Sequence, residues 1–451
     1  MSDAIQPFPA TPTANTPDIK RLYGKIVWRL MPFLMLAFIF NAIDRLNLSF
    51  AKLRMAEDIA LSDAAYGLGA GIFYLGYILF EVPSNLYMQR VGARATLTRI
   101  MILWGLITVA TAFVTTPNQL IVARFLLGVA EAGFFPGLIL YLTYWFPASL
   151  RGRITASFFM AAMVAGMICG PLSGAIMSNL HGWIGLRDWQ ALFVLTGLPA
   201  VILGIIGRYW LTDRPEQAAW LSDEEKSRVH QMLANELTTS PAQHGLRGVL
   251  RDPLLYVAGL VCFCIYSAAN TVSYWLPTLI RGFGMEDLNR IGLVTSLPFL
   301  GGLCAMYILG RSSDRHMERR WHLGLTMLVA AASFFLLDLA QGLLVPSVLL
   351  MTLGAAAALS AMPLFWTVPP ALLSRSGAAG GIAIISSIGN LAGVLSQTAV
   401  GTVKSATGSL YLALDLIAAL LLFGCLLVLF GIPANRLSAA RRTEHSCVDG
   451  K

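Results

Sequence analysis

The sequence predicts an all-α membrane protein with twelve transmembrane helices in two pseudo-symmetric six-helix bundles. Three observations predict it. Hydrophobic residues make up 56% of the 451 positions and charged ones only 12%, about half of the ~25% charged content of ordinary soluble domains. Apolar stretches of about 20 residues recur from Val27 to Phe430 with short polar breaks, each long enough to cross a ~30 Å hydrocarbon core as a helix. The longest polar interruption, Thr212 to about Pro253, leaves six such stretches on either side.

The first 20 residues are rich in Pro, Thr and Ala and hold no apolar core of a secretory signal, so 1–26 reads as a cytoplasmic N-terminal tail. Hydropathy places the first six spans at 27–50, 63–89, 97–114, 118–145, 154–178 and 189–211, which together form a bundle over 27–211. The cytoplasmic central loop, 212–253, contains one short surface helix: Asp223, Glu224 and Glu225 follow Ser222 as N-cap and precede Lys226 and Arg228. Spans at 254–281, 289–310, 321–339, 345–372, 379–402 and 409–432 form the second bundle over 254–432, and 433–451 is a cytoplasmic C-terminal tail. The halves echo one another in their loops. Asn85 to Arg94 follows the second span and Gly310 to Arg320 the eighth, both short and basic.

A net charge of +8 invites a nucleic-acid partner, but the placement of the charge excludes one. With the N-terminus inside, 24 of the 32 Lys and Arg fall in cytoplasmic segments, six on the other side and two, Arg45 and Arg124, within spans. That is the positive-inside distribution, with both termini cytoplasmic and the bilayer as partner. The six cysteines form neither a disulfide framework nor a metal pattern, and the six histidines are scattered over loops and tail, so no metal or other cofactor is expected. No glycine-rich phosphate loop follows a strand. The chain is therefore not read as an enzyme or an ATPase, and paired six-helix halves with a site near the midplane are the plan of an ion-driven carrier. Nothing resembles a channel's selectivity filter.

A charge inside a span costs at least ~2.5–3.5 kcal/mol at mid-bilayer, so each needs a reason. Arg124, Gly128 and Glu131 share one face of the fourth span. Asp44 lies at about the depth of Arg124, which predicts an ion pair between Asp44 and Arg124. Asp44 and Arg45 point ~100° apart, leaving Arg45 free to grip a carboxylate bidentately with its planar fork. A free Arg45 could be replaced without harm to the fold. Glu131 has no basic residue within a turn on its own helix, which makes it, with Asp44, the candidate proton carrier. Asn47 and Asn41 flank the same region. Tyr77 and Asn390 are polar within apolar spans, and Tyr74, Tyr274, Trp275, Phe365 and Trp366 are aromatic candidates for the ligand space. Arg124 is the second guanidinium that could meet a substrate. Glu81 is read as part of an ion pair with the basic loop that follows it.

The chain resembles the major facilitator superfamily and, within it, the anion:cation symporters of bacteria, over nearly its whole length. The matching stretches are IDRLNLS (43–49), EVPSNLYMQRVGAR (81–94), ARFLLGVAEAGFFPGLILYLTYWFP (123–147), LTDRPEQAAWLSDEE (211–225), SDRHMERR (313–320) and SIGNLAGV (387–394). EAGFFPGLILYLTYWFP and SDRHMERRWH are most similar to the hydroxyphenylacetate, phthalate and tartrate permease branch. The resemblance implies a monomer in the bacterial inner membrane that imports a small organic carboxylate with protons by alternating access. Arg45, Asn47, Tyr77, Arg124, Tyr274, Trp366 and Asn390 would line the substrate site, and Asp44 and Glu131 would carry protons. Met160 and Met163, where relatives that carry sugar acids tend to show Gln, favour an aromatic or compact tartrate-like carboxylate over a polyol. The rival is a drug:proton antiporter, supported by GMICGPLSG (166–174), which is similar to an antiporter motif. Arg45 opposes it, because a central guanidinium repels cationic drugs.

Overall fold

The computed structural model describes residues 17–239, 250–373 and 378–433, so most of both predicted tails lies outside the described residues. Twelve helical segments among those residues are long and apolar enough to cross a membrane. In the first half they are α1 (Pro17–Asp58), α2 (Asp63–Val91), α3 (Ala93–Thr111), the pair α4 (Pro117–Glu131) and α5 (Phe134–Trp145), α6 (Ala148–Asn179) and α7 (Asp188–Trp210). A surface helix, α8 (Asp223–Thr239), follows. The second half holds α9 (Pro253–Gly282), α10 (Leu288–His316), α11 (Arg320–Leu339), α12 (Leu344–Trp366), the single turn α13 (Pro369–Leu372), α14 (Ala378–Thr407) and α15 (Leu410–Leu426).

The packing repeats between halves. α1 lies on α6 as α9 lies on α14, α2 on α4 as α10 on α12, and α3 on α7 as α11 on α15. The halves meet along two equivalent seams, α2 against α14 and α6 against α10, with α1 touching α9 between them. Glycine makes both seams close: a Cβ on Gly67 of α2 would come 2.9 Å from the Gly401 Cα of α14, and one on Gly174 of α6 would come 2.5 Å from the Leu288 carbonyl of α10. Gly166 and Gly170 face α10 in the same way, so GMICGPLSG serves a helix crossing that any carrier of this plan requires.

Two local features differ from the sequence expectation. α1 starts at Pro17, ten residues before the apolar run, because its first turns pack on protein: Ile19, Leu22 and Tyr23 are buried. The fourth span is broken into α4 and α5. The short helix after Ser222 is present as α8, and its N-terminus is a reciprocal cap in which the Ser222 amide donates to Glu225 Oε2 at 2.8 Å and the Glu225 amide to Ser222 Oγ at 3.2 Å. Lys25 Nζ donates to the same carboxyl at 2.8 Å and holds it below the usual carboxylate range. Trp220 stacks on Trp145 of α5 with ring centroids 5.5 Å apart. The loop is thus fastened to the first half.

Candidate functional site

The contacts between halves gather at one end of the molecule, the end away from the basic loops. There Asp63, the first residue of α2, accepts from Lys52 Nζ of α1 at 2.6 Å and from Lys404 Nζ of α14 at 3.1 Å, joining the halves through one carboxyl oxygen. Lys52 also sits over the ring of Trp275 at 3.9 Å. Arg281 of α9 donates to the Leu53 carbonyl at 2.7 Å, and Tyr66 Oη of α2 to the Tyr274 carbonyl at 2.6 Å. At the basic-loop end the α2 residues Val82, Pro83, Leu86 and Tyr87 are exposed, as are Tyr307 and Ile308 of α10. Among the described residues, then, the bonds that fasten the halves lie at the end away from the basic loops, and these residues at the basic-loop end are exposed.

At the inner edge of that seal the intramembrane charges pair differently from the expectation. Arg45 Nε donates to Glu131 Oε2 at 2.9 Å, and Asn41 Nδ2 donates to the same oxygen at 2.8 Å. Glu131 is therefore not isolated, and Arg45 is not free. Spacing along α4 could show only that no base shares Glu131's own helix; the base comes from α1. Glu131 is fully buried and its Oε1 has no partner, whereas the Arg45 side chain is 28% exposed. Half of this ion pair reaches solvent-accessible space and half does not.

The predicted pair of Asp44 with Arg124 is also corrected, since among the described residues no carboxylate oxygen lies within ion-pair distance of Arg124. Asp44 instead accepts from Thr108 Oγ1 of α3 at 2.7 Å and from Asn47 Nδ2 at 3.2 Å. Arg124 Nη2 donates to Tyr274 Oη of α9 at 3.1 Å, across the halves. Its guanidinium lies 4.8 Å from the centroid of Phe73, and that of Arg45 lies 5.1 Å from the same ring. One phenyl ring thus serves two cations that would otherwise repel.

The remaining predicted residues divide into two groups. Asn47 is buried between helices and also donates to Thr196 Oγ1 of α7 at 2.9 Å, a packing bond rather than a ligand contact. Arg124 and Tyr274 are buried within the seal. Tyr77 lies beneath Arg45, 5.2 Å from its guanidinium, and Trp366 of α12 and Asn390 of α14 are partly buried. Gly389 and Gly393 bring α14 onto α9 and onto the ring of Tyr74. Glu81 makes no ion pair among the described residues; its carbonyl accepts from Asn85 Nδ2 at 2.9 Å. Sequence reasoning passed over Thr108 and Asn270, single polar residues on helices with no charged neighbour to mark them.

The break after α4 sets the position of Glu131, its last residue. Ala132 turns to extended geometry (φ −55°, ψ 127°), and Gly133 is left-handed at φ 85°. Ser84 Oγ of α2 would lie 2.6 Å from a Cβ at position 133. Both the dihedral and the space demand glycine. Gly133→Ala is therefore expected to lower stability by about 1–3 kcal/mol and to weaken transport; thermal unfolding in detergent measures the first, and an unchanged midpoint would refute the strain argument.

A family profile described as Major Facilitator Superfamily matches residues 34–397. A Pseudomonas putida protein named for metabolite transport is 42% identical over 92% of this chain and 95% of its own. One from Agrobacterium vitis, named for tartrate transport, is 40% identical over 94% of each chain. A quinolone resistance transporter of Acinetobacter baumannii is 38% identical over 90% of this chain and 94% of its own.

Proposed function

The chain belongs to the major facilitator superfamily, a multi-pass membrane transporter and not an enzyme, and from that premise we propose that it imports a small organic carboxylate with protons. The observation that carries the reading is the Arg45–Glu131 pair. A guanidinium half in the open space and half committed to a buried carboxylate offers one strong site to two anions. When a substrate carboxylate takes Arg45, Glu131 is left buried with only Asn41, and a buried carboxylate that loses its counter-charge must take up a proton. Substrate binding and protonation are then two sides of one exchange. Tyr77 lies against Arg45, and in this reading Trp366 and Asn390 of the second half add apolar cover and an amide.

Asp44, held by the neutral donors Thr108 and Asn47, is the second proton carrier in this reading. A monoanion moving with two protons carries net positive charge inward and is driven by membrane potential as well as by pH. The positive-inside distribution supports cytoplasmic termini and a cytoplasmic basic-loop end, with the fastened end toward the periplasm of a bacterial inner membrane. Residues 27–211 and 254–432 are the two bodies that rock about the site in alternating access, within a monomer. The names of the A. vitis and P. putida relatives agree with a small organic substrate, and the Met-rich α6 favours a compact or aromatic carboxylate over a polyol, whose unpaired hydroxyls would cost ~1–3 kcal/mol each.

Export of an apolar drug is the second reading, favoured by the A. baumannii relative. Glu131→Gln separates the two. The amide keeps the shape of a protonated carboxyl and releases Arg45, so the variant is expected to bind an organic anion at least as tightly as wild type and to exchange it in counterflow. It is expected to fail to accumulate the anion under an inward proton gradient. Accumulation equal to wild type would remove Glu131 from coupling, and binding of cationic dyes in place of carboxylates would favour export.

A further inference from the structure

Two ammonium groups share the single carboxylate of Asp63. Lys52 Nζ lies 2.6 Å and Lys404 Nζ 3.1 Å from the same oxygen, Oδ1, and among the described residues neither lysine pairs with another carboxylate. Through that oxygen the two nitrogens can be no more than ~6 Å apart, where like charges disfavour each other by about threefold in an equilibrium constant even at the dielectric constant of water, and by more where water is excluded. Water is largely excluded from Lys52, which is buried with its ammonium 4.3 Å from the centroid of the Tyr66 ring and 3.9 Å from that of Trp275.

The groups are divided unequally between the halves. Lys52 of α1 and Asp63 of α2 belong to the first half. Lys404 of α14 belongs to the second, as does Trp275 of α9, whose Nε1 donates to Gln397 Oε1 of α14 at 2.9 Å. If the halves part at this end, Lys404 leaves and Lys52 stays. Asp63 then keeps a counter-charge in both arrangements and need not take up a proton, in contrast to Glu131.

We propose that Lys52 is a positioning residue for the transport cycle, competing with Lys404 for Asp63 and so keeping the clasp between the halves weak enough to open. The inference rests on the rocking of the two halves proposed above and not on the identity of the substrate. Without Lys52, Lys404 would be the only counter-charge of Asp63, and parting would strand the carboxylate. The contact of Lys52 with Trp275 pulls the other way, because it crosses between the halves. Lys52→Met keeps an apolar side chain against both rings and removes the charge, which isolates the competition.

The test is a double-mutant cycle on the full-length protein, read as the ratio of open to closed populations at this end. Spin labels replace Asn118 and Glu286, exposed residues at this end with one on each half, in a background of Cys304→Ser and Cys447→Ser. Electron paramagnetic resonance gives the distribution of distances between them. Lys404→Met is expected to raise the open population little while Lys52 is present, because Asp63 keeps a partner and the repulsion is relieved. With Lys52→Met also in place, the factor by which Lys404→Met raises it should be larger by about threefold or more. Lys52→Arg keeps the competing charge and should leave that factor at its wild-type value, which a purely packing role for Lys52 would not require. Lys52→Gln serves if Lys52→Met does not fold. The same factor in the presence and absence of the Lys52 charge overturns the competition and leaves the two-body reading standing. A single unchanging distance in every variant overturns both.

Discussion

Arg45→Ala is expected to destabilise the protein by about 3–5 kcal/mol, because it strands the fully buried Glu131 carboxylate without its counter-charge. Transport should be lost with it. The double variant Arg45→Ala/Glu131→Gln removes both charges and should regain most of the stability, leaving Asn41 to bond a neutral amide, while carboxylate binding stays absent. Arg45→Lys keeps a charge but not the planar fork and should bind substrate nearly as weakly as Arg45→Ala. Thermal unfolding in detergent and binding measured on the same preparations test this. Equal stability of Arg45→Ala and Arg45→Ala/Glu131→Gln, with Glu131→Gln alone as stable as wild type, would mean that the ion pair carries no coupling energy, and the competition between Glu131 and substrate would fall with it. The sequence alone suggested that Arg45 could be replaced without harm to the fold; the pairing reverses that expectation.

Gly67→Val should trap the carrier with its sealed end open. At the α2 seam a Cβ on Gly67 meets backbone only, the Gly401 Cα at 2.9 Å and nitrogen at 3.2 Å, and backbone cannot rotate away as a side chain can. Overpacking costs typically ~1–3 kcal/mol and occasionally more, charged solely to the conformation in which α2 and α14 touch. A penalty of that size shifts the balance between conformations by roughly 5- to 150-fold. Substrate binding from the periplasmic side should persist and net uptake should drop by about fivefold or more. Spin labels at Ser62 and Ser405, one on each half, should report a longer distance than in the parent. Wild-type uptake in Gly67→Val would show that the seam opens and closes without the contact described.

The twelve spans were legible because hydropathy over ~20 residues is a one-dimensional signal, and the bilayer reads the chain in the same way. The residues that matter at the centre were legible for a related reason: charge within a span is costly, so Asp44, Arg45, Arg124 and Glu131 marked themselves. Their partners were not. Asn41 and Arg45 lie 90 and 86 positions from Glu131, and no periodicity along one helix shows which face of another it meets. Depth alone suggested Arg124 for Asp44, but Thr108 of α3 and Tyr274 of α9 lie nearer in the packed molecule. The break at Ala132 and Gly133 was not visible in the sequence, where 118–145 reads as one uninterrupted span. The neighbour that leaves no room for a Cβ at Gly133, Ser84, comes from α2, some fifty positions away.

That break bears on how the chain enters the bilayer. α4 has 15 residues and α5 has 12, so at 1.5 Å per residue they are about 22 Å and 18 Å long. Neither reaches across a ~30 Å hydrocarbon core alone. The translocation machinery must therefore release Pro117 to Trp145 as a single continuous helix, since interrupted backbone exposed to lipid leaves polar groups unpaired. The interrupted backbone at Ala132 and Gly133 is tolerable at membrane depth only where protein surrounds it, here with Ser84 of α2 beside Gly133. Glu131 would then reach its place at the end of α4 late in assembly, as a product of tertiary folding rather than of membrane insertion.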